Sequence, residues 1–274
     1  MSDPYIPQLG YVYPSKPDEH MVAPKFTHEV IIDENYPFLD KSFKFWFMRR
    51  LMHLGIYVIT FPLSYLRFGL KVEGRHILRK HKKLFKDGAM TVSNHVHRWD
   101  ILFVLNAVRF RMMYFPAWKE NLQGPDEGFI RLAGGIPVPN EISLIKQFNK
   151  AFDEIHEKKI WMHVYPESCR FDYFQPIRPF KKGVFTLAQR YNLPLIPIAF
   201  SYRKPSFPFT LVNFVRSLRG KQKLPMITLR IGEPILMDQN LSRKEAILKL
   251  RKDCHEEVVR LAGIKENKYP AEGD

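Results

Sequence analysis

Ala89-Met90-Thr91-Val92-Ser93-Asn94-His95-Val96-His97-Arg98-Trp99-Asp100 joins two periodicities in one stretch. Residues 89–93 read as a short buried strand. From Asp100 to residue 110 the apolar positions Ile101, Leu102, Val104, Leu105 and Val108 recur at helical spacing. A strand, a short loop and a helix form the repeating unit of an α/β sheet. His95 and Asp100 would stand about 500° apart on a continuous helix and could not meet. They can meet if His95 lies in the loop and Asp100 in the first helical turn, where the helix dipole favours a carboxylate. An imidazole that takes a proton from an alcohol needs such a carboxylate to hold its tautomer and stabilise its cation. Backbone N–H groups at the same turn are expected to be available for an oxyanion. The plain alternative is a loop histidine beside a capping carboxylate; the strand-loop-helix setting and Asn94 favour the pair.

The alternation continues outward from this unit. Residues 72–74, 112–117, 160–165, 195–202 and 227–231 read as strands. Residues 75–86, 129–135, 142–158 and 183–191 read as helices. The last helix has a capping-box start in Ser242 and Glu245 and a stop in Gly263. The expected fold is α/β: a mixed, largely parallel central sheet flanked by helices, with an N-terminal interfacial helical segment. Three regions follow: an irregular arm over residues 1–40, a membrane-interface segment over 41–71, and an α/β domain over 72–274. Pro4, Pro7, Pro14, Pro17 and Pro24 punctuate the arm. In the second region Phe43, Phe45, Trp46, Phe47 and Met48 precede Arg49-Arg50, and an apolar stretch runs to Leu66. That stretch is shorter than the roughly 20 residues of a spanning helix and holds His53 and Pro62. It reads as one helix, or two broken near Pro62, lying in the interface with Arg49, Arg50, Arg67 and Lys71 at headgroup level. The alternative is an amphipathic helix packed on the main domain.

Composition sets the partners. Among 274 residues, 43 Lys and Arg stand against 28 Asp and Glu, a formal net charge of +15. An excess of that sign favours an anionic partner. The 14% of aromatic residues and the absence of any nucleic-acid-binding motif favour a membrane surface over nucleic acid. Cys169 and Cys254 have no ligand or disulfide-framework spacing, which fits a reducing compartment. The polar, proline-rich start does not read as a signal peptide.

A second constellation, Val164-Tyr165-Pro166-Glu167-Ser168-Cys169-Arg170, also follows a strand. A carboxylate and a guanidinium three residues apart can fix an alcohol and a phosphate, the planar guanidinium suiting phosphate. Arg178-Pro179-Phe180-Lys181-Lys182-Gly183 adds basic charge of the kind that usually faces solvent.

Taken together, these residues resemble the glycerolipid acyltransferase family typified by 1-acylglycerol-3-phosphate (lysophosphatidic acid) acyltransferases. The family's N-H-x4-D signature appears as Asn94-His95 through Asp100. Its F-P-E-G-T-R signature appears as Tyr165-Pro166-Glu167-Ser168-Cys169-Arg170. Its apolar V-P-I-like strand appears as Leu195-Ile196-Pro197-Ile198-Ala199, and Lys119-Glu120-Asn121-Leu122 resembles its K-x-E-L-like segment. The resemblance covers residues 72–235. Two departures stand out: Gly134-Gly135-Ile136-Pro137-Val138-Pro139-Asn140 lacks the family's arginine, and Ser168-Cys169 replace Gly-Thr.

The resemblance implies transfer of a fatty acyl group from acyl-CoA or acyl carrier protein, as co-substrate, to a hydroxyl of a lysophospholipid or glycerol-phosphate-like lipid. His95 would be the general base and Asp100 its partner. Asn94, Lys119, Glu167, Ser168, Cys169 and Arg170 would bind substrate, with no metal or other cofactor. The expected partners are a membrane lipid acceptor, a thioester donor and an anionic membrane surface, with peripheral or monotopic attachment at the cytoplasmic face. Two rival readings are a metal-dependent hydrolase using His95, His97, Asp100, His163 and Glu167, and a non-catalytic basic lipid-binding protein.

Overall fold

The computed structural model describes residues 5–23, 26–109 and 111–271; Pro4, Pro24 and Phe110 lie outside these. Seven strands form one sheet in the order β1-β7-β6-β2-β5-β3-β4. They are β1 (Lys71–Glu73), β2 (Met90–Ser93), β3 (Met113–Trp118), β4 (Gly135–Val138), β5 (Trp161–Val164), β6 (Leu195–Arg203) and β7 (Met226–Ile231). All neighbours pair in parallel except β6 and β7. This is the mixed, largely parallel sheet expected from the sequence.

The period-2 rule divides the core between two faces. Ile196, Ile198, Phe200 and Tyr202 of β6 join α4 (Asp100–Val108) and α2 (Phe61–Phe68) in one cluster. Met90 and Val92 of β2 and Leu195 and Ala199 of β6 join the other. That second cluster is closed by α6 (Ile145–Glu157), α7 (Gly183–Arg190) and α9 (Arg243–Ala262). Every residue of α4 is buried, so its first turn is fixed firmly behind β2. Ser242 and Glu245 make the reciprocal cap of α9, and Gly263 ends it at φ +79°.

Some elements differ from the sequence reading. The helix expected over 75–86 stops early as α3 (Arg75–Lys80); residues 81–87 continue as turns, with Phe85 still buried in the core against Trp161. The helix expected over 129–135 is α5 (Glu127–Ala133). Pro62 does not break the N-terminal helix. A π-helical turn, Ile56–Thr60, joins α1 (Phe43–Gly55) to α2, and Pro62 sits in the first turn of α2. A proline there removes no N–H the helix needs. Arg49 is not at headgroup level: it is buried and donates from Nη2 to the carbonyl of Met113 at 2.8 Å. One further helix, α8 (Phe209–Leu218), was not foreseen.

The proline-punctuated arm lies on the sheet's loop end. Tyr13 stacks on Phe171 with centroids 5.9 Å apart and donates its hydroxyl to Asp172 O at 2.9 Å. His20 stacks on Trp118 at 3.6 Å.

Candidate active site

Strands β2 and β5 are parallel neighbours, with Val92 opposite Val164. Their C-terminal ends therefore release the Asn94–Asp100 loop and the Tyr165–Arg170 loop side by side, the position where open α/β sheets hold ligands. Asn94 is the clamp that starts the first loop. Its Oδ1 accepts the Phe200 N–H at 2.8 Å and its Nδ2 donates to Phe200 O at 3.2 Å, tying the chain to β6. Expected to bind substrate, it is 1% exposed and is held by the scaffold.

His95 then turns back onto the first helical turn. Its Nδ1 lies 3.0 Å from Asp100 Oδ2. The same oxygen accepts the N–H of Val96 at 2.6 Å and of His97 at 2.9 Å. Three donors on one oxygen fix the carboxylate, the loop and the imidazole together. Those two N–H groups are thereby occupied and are not available to an oxyanion. With Nδ1 bound to Asp100, Nε2 is left for chemistry, and among the described residues no hydrogen bond engages it. The imidazole stacks on Tyr165, centroids 4.0 Å apart at 18°. Burial, followed by the Arg170 guanidinium, pushes His95 down to about 3, so the ring is neutral at neutral pH. Burial pushes Asp100 up, with the His97 and Val96 N–H groups opposing it.

Glu167 reaches across from the second loop. Its Oε2 accepts the His95 N–H at 2.9 Å and Arg178 Nη2 at 2.9 Å, and its Oε1 accepts the Arg178 N–H at 2.8 Å. Both oxygens are thus engaged by protein, and the residue is 3% exposed. It braces His95 from behind. Arg178, read from sequence as a solvent-facing basic residue, is 1% exposed. It also donates to Cys169 O and, from Nη1, to Pro17 O at 2.8 Å, so the arm helps complete the brace. Arg178 is the residue sequence reasoning missed. Its signal was a lone arginine between Ile177, Pro179 and Phe180, three residues without polar side chains.

The remaining expected residues divide. Ser168 occupies the family's glycine position at φ +62°, the left-handed region glycine favours. Its hydroxyl donates to Glu167 O at 2.7 Å. The Cys169 thiol is buried, donates to Asp18 O at 3.1 Å and is pushed up by burial, which makes it a poor nucleophile. Arg170 keeps partial exposure beside the loop, its Nε 2.8 Å from Asp172 Oδ1. Lys119 opens a 3-10 turn after β3 and is half-buried, with no ion pair to the dyad loop among the described residues.

Two side chains of the metal-hydrolase reading, His97 and His163, are engaged elsewhere. His97 Nδ1 accepts the Trp99 N–H at 3.1 Å, and its ring packs against Phe68, Phe103 and Tyr173. His163 lies beneath the loop, 2.8 Å from the Thr91 hydroxyl. Among the described residues no three His, Cys, Asp or Glu side chains gather as a ligand set.

Residues 69–201 match the family model described as Acyltransferase. The chain is 30% identical over 144 residues to an uncharacterized acyltransferase of Schizosaccharomyces pombe. That alignment covers 49% of this chain and 47% of the yeast protein, so the chain spans about half the length of this relative. The fold is similar to the crystal structure of PlsC, the 1-acyl-sn-glycerophosphate (LPA) acyltransferase of Thermotoga maritima. The TM-score is 0.53 at 19% identity, covering 84% of this chain and 87% of that one.

Proposed function

We propose that this chain, which matches the acyltransferase family model over residues 69–201, transfers a fatty acyl group from a thioester, acyl-CoA or acyl carrier protein, to a hydroxyl of a lysophospholipid or glycerol-phosphate-like lipid. The observation that carries this reading is the His95–Asp100 contact, with Nδ1 held at 3.0 Å and Nε2 unengaged. A neutral imidazole in that tautomer accepts a proton at Nε2.

In the proposed reaction, Nε2 takes the proton of the acceptor hydroxyl. The freed oxygen forms a bond to the thioester carbonyl carbon, the tetrahedral intermediate collapses, and the C–S bond breaks. The departing thiolate takes the proton from Nε2, so the enzyme returns to its starting state without a covalent intermediate. Asp100 stabilises the transient imidazolium. Glu167 and Arg178 position the His95 backbone, while Asn94 fixes the loop origin. Holding the two reactants together supplies a share of the rate comparable to the base itself.

Charge around the mouth supports an anionic acceptor. After burial, Arg170, Arg67 and Arg98 are what push the His97 ring down to about 3. These three guanidinium groups therefore stand near the dyad loop, and Arg67 and Arg170 are offered to the acceptor's phosphate in place of the absent second-motif arginine.

The 26-residue helix Phe43–Phe68 is long and apolar enough to cross a bilayer by length and composition. Its buried positions, Arg49, His53, Ile56, Phe61, Ser64 and Phe68, recur along its whole length against the rest of the chain. Packing of that kind supports an interfacial orientation, with Phe43, Trp46, Leu51, Leu54, Val58 and Ile59 facing lipid.

Purified protein should be assayed with acyl-CoA and with acyl carrier protein donors against lysophosphatidate, glycerol 3-phosphate and other lysophospholipids. Ester formation on any of these acceptors supports the reading. Thioester hydrolysis with no ester product, or no turnover with either donor, overturns it.

A further inference from the structure

Helix α8 carries its amphipathicity inside out. Its buried residue is Asn213, whose Nδ2 donates to Leu224 O at 2.8 Å and whose Oδ1 accepts the Leu224 N–H at 2.9 Å. One turn on, Arg216 Nε donates to Gln222 O at 3.0 Å. The opposite side presents Leu211, Phe214 and Leu218, each at least 57% exposed, and Phe207 before the helix is 82% exposed. A helix packed on a water-facing surface turns its apolar stripe inward. Here the stripe, at spacings of three and four, is left outside, and a contiguous apolar face of that kind marks an interaction surface.

Helix α1 has the same reversal, with Arg49 and His53 inward and Trp46, Phe47 and Leu54 outward. Helix α8 adjoins the C-terminal end of α2, which continues the same helix as α1. A Cβ added at Gly69, just past α2, would meet the Phe209 ring at 3.1 Å. Arg67 of α2 shares a small hollow with Phe209, Val212 and Arg216 of α8. Both stretches are also free of acids: residues 41–72 and 203–232 contain no Asp or Glu. Arg216, Arg219, Lys221 and Lys223 lie in and directly after α8.

We propose that α8 and Phe207 form a second lipid-contacting element which, with Phe43–Phe68, seats the chain at two points on an anionic bilayer, Arg67 and Arg216 lying between them. The inference rests on the reading that Phe43–Phe68 docks at a bilayer. Apolar side chains backed by cations complement a surface that offers hydrocarbon and anionic headgroups together. A second copy of this chain would instead bring two +15 molecules face to face through segments that carry cations and no acids.

Cys169 and Cys254 are both buried, so a cysteine placed on the surface can be labelled selectively. Phe47→Cys and Phe214→Cys, each carrying an environment-sensitive fluorophore, are mixed with phosphatidylcholine vesicles with and without phosphatidylglycerol. A blue shift at both positions, quenched by lipid-borne nitroxide and stronger with phosphatidylglycerol, is expected. A shift at position 47 alone overturns the second contact and leaves the first. A shift at neither position overturns both. A shift at 214 that needs only higher protein concentration identifies a second copy as the occupant and overturns the proposal. In parallel, Leu211→Asp/Phe214→Asp/Leu218→Asp should weaken vesicle partitioning at least about tenfold. Undiminished partitioning by the folded variant overturns the proposal, and the labelled single-site proteins decide it alone if the triple variant does not fold.

Discussion

Asp100 Oδ2 lies 3.0 Å from His95 Nδ1 while accepting two backbone N–H groups from the intervening loop. One carboxylate oxygen thus shapes the loop and orients the base. Asp100→Asn should keep the fold, because an amide oxygen can still accept the Val96 and His97 N–H groups. It loses the charge that stabilises the imidazolium, so kcat should drop by up to about 10⁴. In the parent protein, burial and Arg170 hold His95 below its ordinary value. The acid limb of the kcat/KM profile should therefore have its midpoint below about 6.5. A midpoint above that value would contradict the half-buried, neutral base.

Glu167 and Arg178 form a buried pair at 2.9 Å, with side chains 2% and 1% exposed. Arg178→Met leaves the Glu167 charge buried without its partner and should cost about 3–5 kcal/mol. Glu167→Gln/Arg178→Met should recover part of that loss, because no uncompensated charge remains. Chemical denaturation of the two variants and the parent measures this. A double variant less stable than Arg178→Met would contradict the account of the pair.

Tyr165 separates ring from hydroxyl. The ring stacks on His95, while the buried hydroxyl has no hydrogen-bond partner among the described residues. Tyr165→Phe should keep activity near the parent level with an unchanged or higher Tm, since removing an unpaired buried hydroxyl is neutral to favourable. Tyr165→Ala removes the surface on which the imidazole rests and should lower both kcat and stability, the latter by about 3–5 kcal/mol. A severe loss of activity in Tyr165→Phe would assign the hydroxyl a role in the reaction.

Three histidines, His95, His97 and His163, are held down to about 3, and His255 to about 4, burial being the leading cause for each. Each stays neutral in the native chain at a pH where the unfolded chain, titrating near about 6.5, takes up a proton. Their contribution is full above about pH 6.5 and declines as the pH falls, by up to about 1.4 kcal/mol per pH unit for each group. Asp100, raised by burial, opposes this as a single group. The Tm should fall steadily between about pH 7 and about pH 5. A Tm that is flat across that window would contradict the neutral, buried histidines.

The strand-loop-helix around His95 was legible in the sequence because its determinants are local: a buried strand, a polar loop and an apolar helical stripe within 20 residues. The parallel sheet followed from repetition of that unit. What stayed hidden depends on contacts between distant segments. Arg178 reads as one cation in a basic stretch until the chain between residues 167 and 178 closes and buries it on Glu167. The arm's prolines give its irregular course, but not its placement on Phe171 and Trp118. The apolar spacing of α8 is present in the sequence; its outward orientation is not, because that depends on packing against distant segments.

The central claim is that His95 Nε2 is the base that deprotonates the acceptor. It is tested most directly by comparing acyl transfer from a thioester to a lysolipid in the parent protein and in His95→Ala, with folding of the variant checked by circular dichroism. The account predicts an unchanged spectrum and a rate lower by at least about 10²–10⁴. Transfer by the folded variant at the parent rate would contradict it.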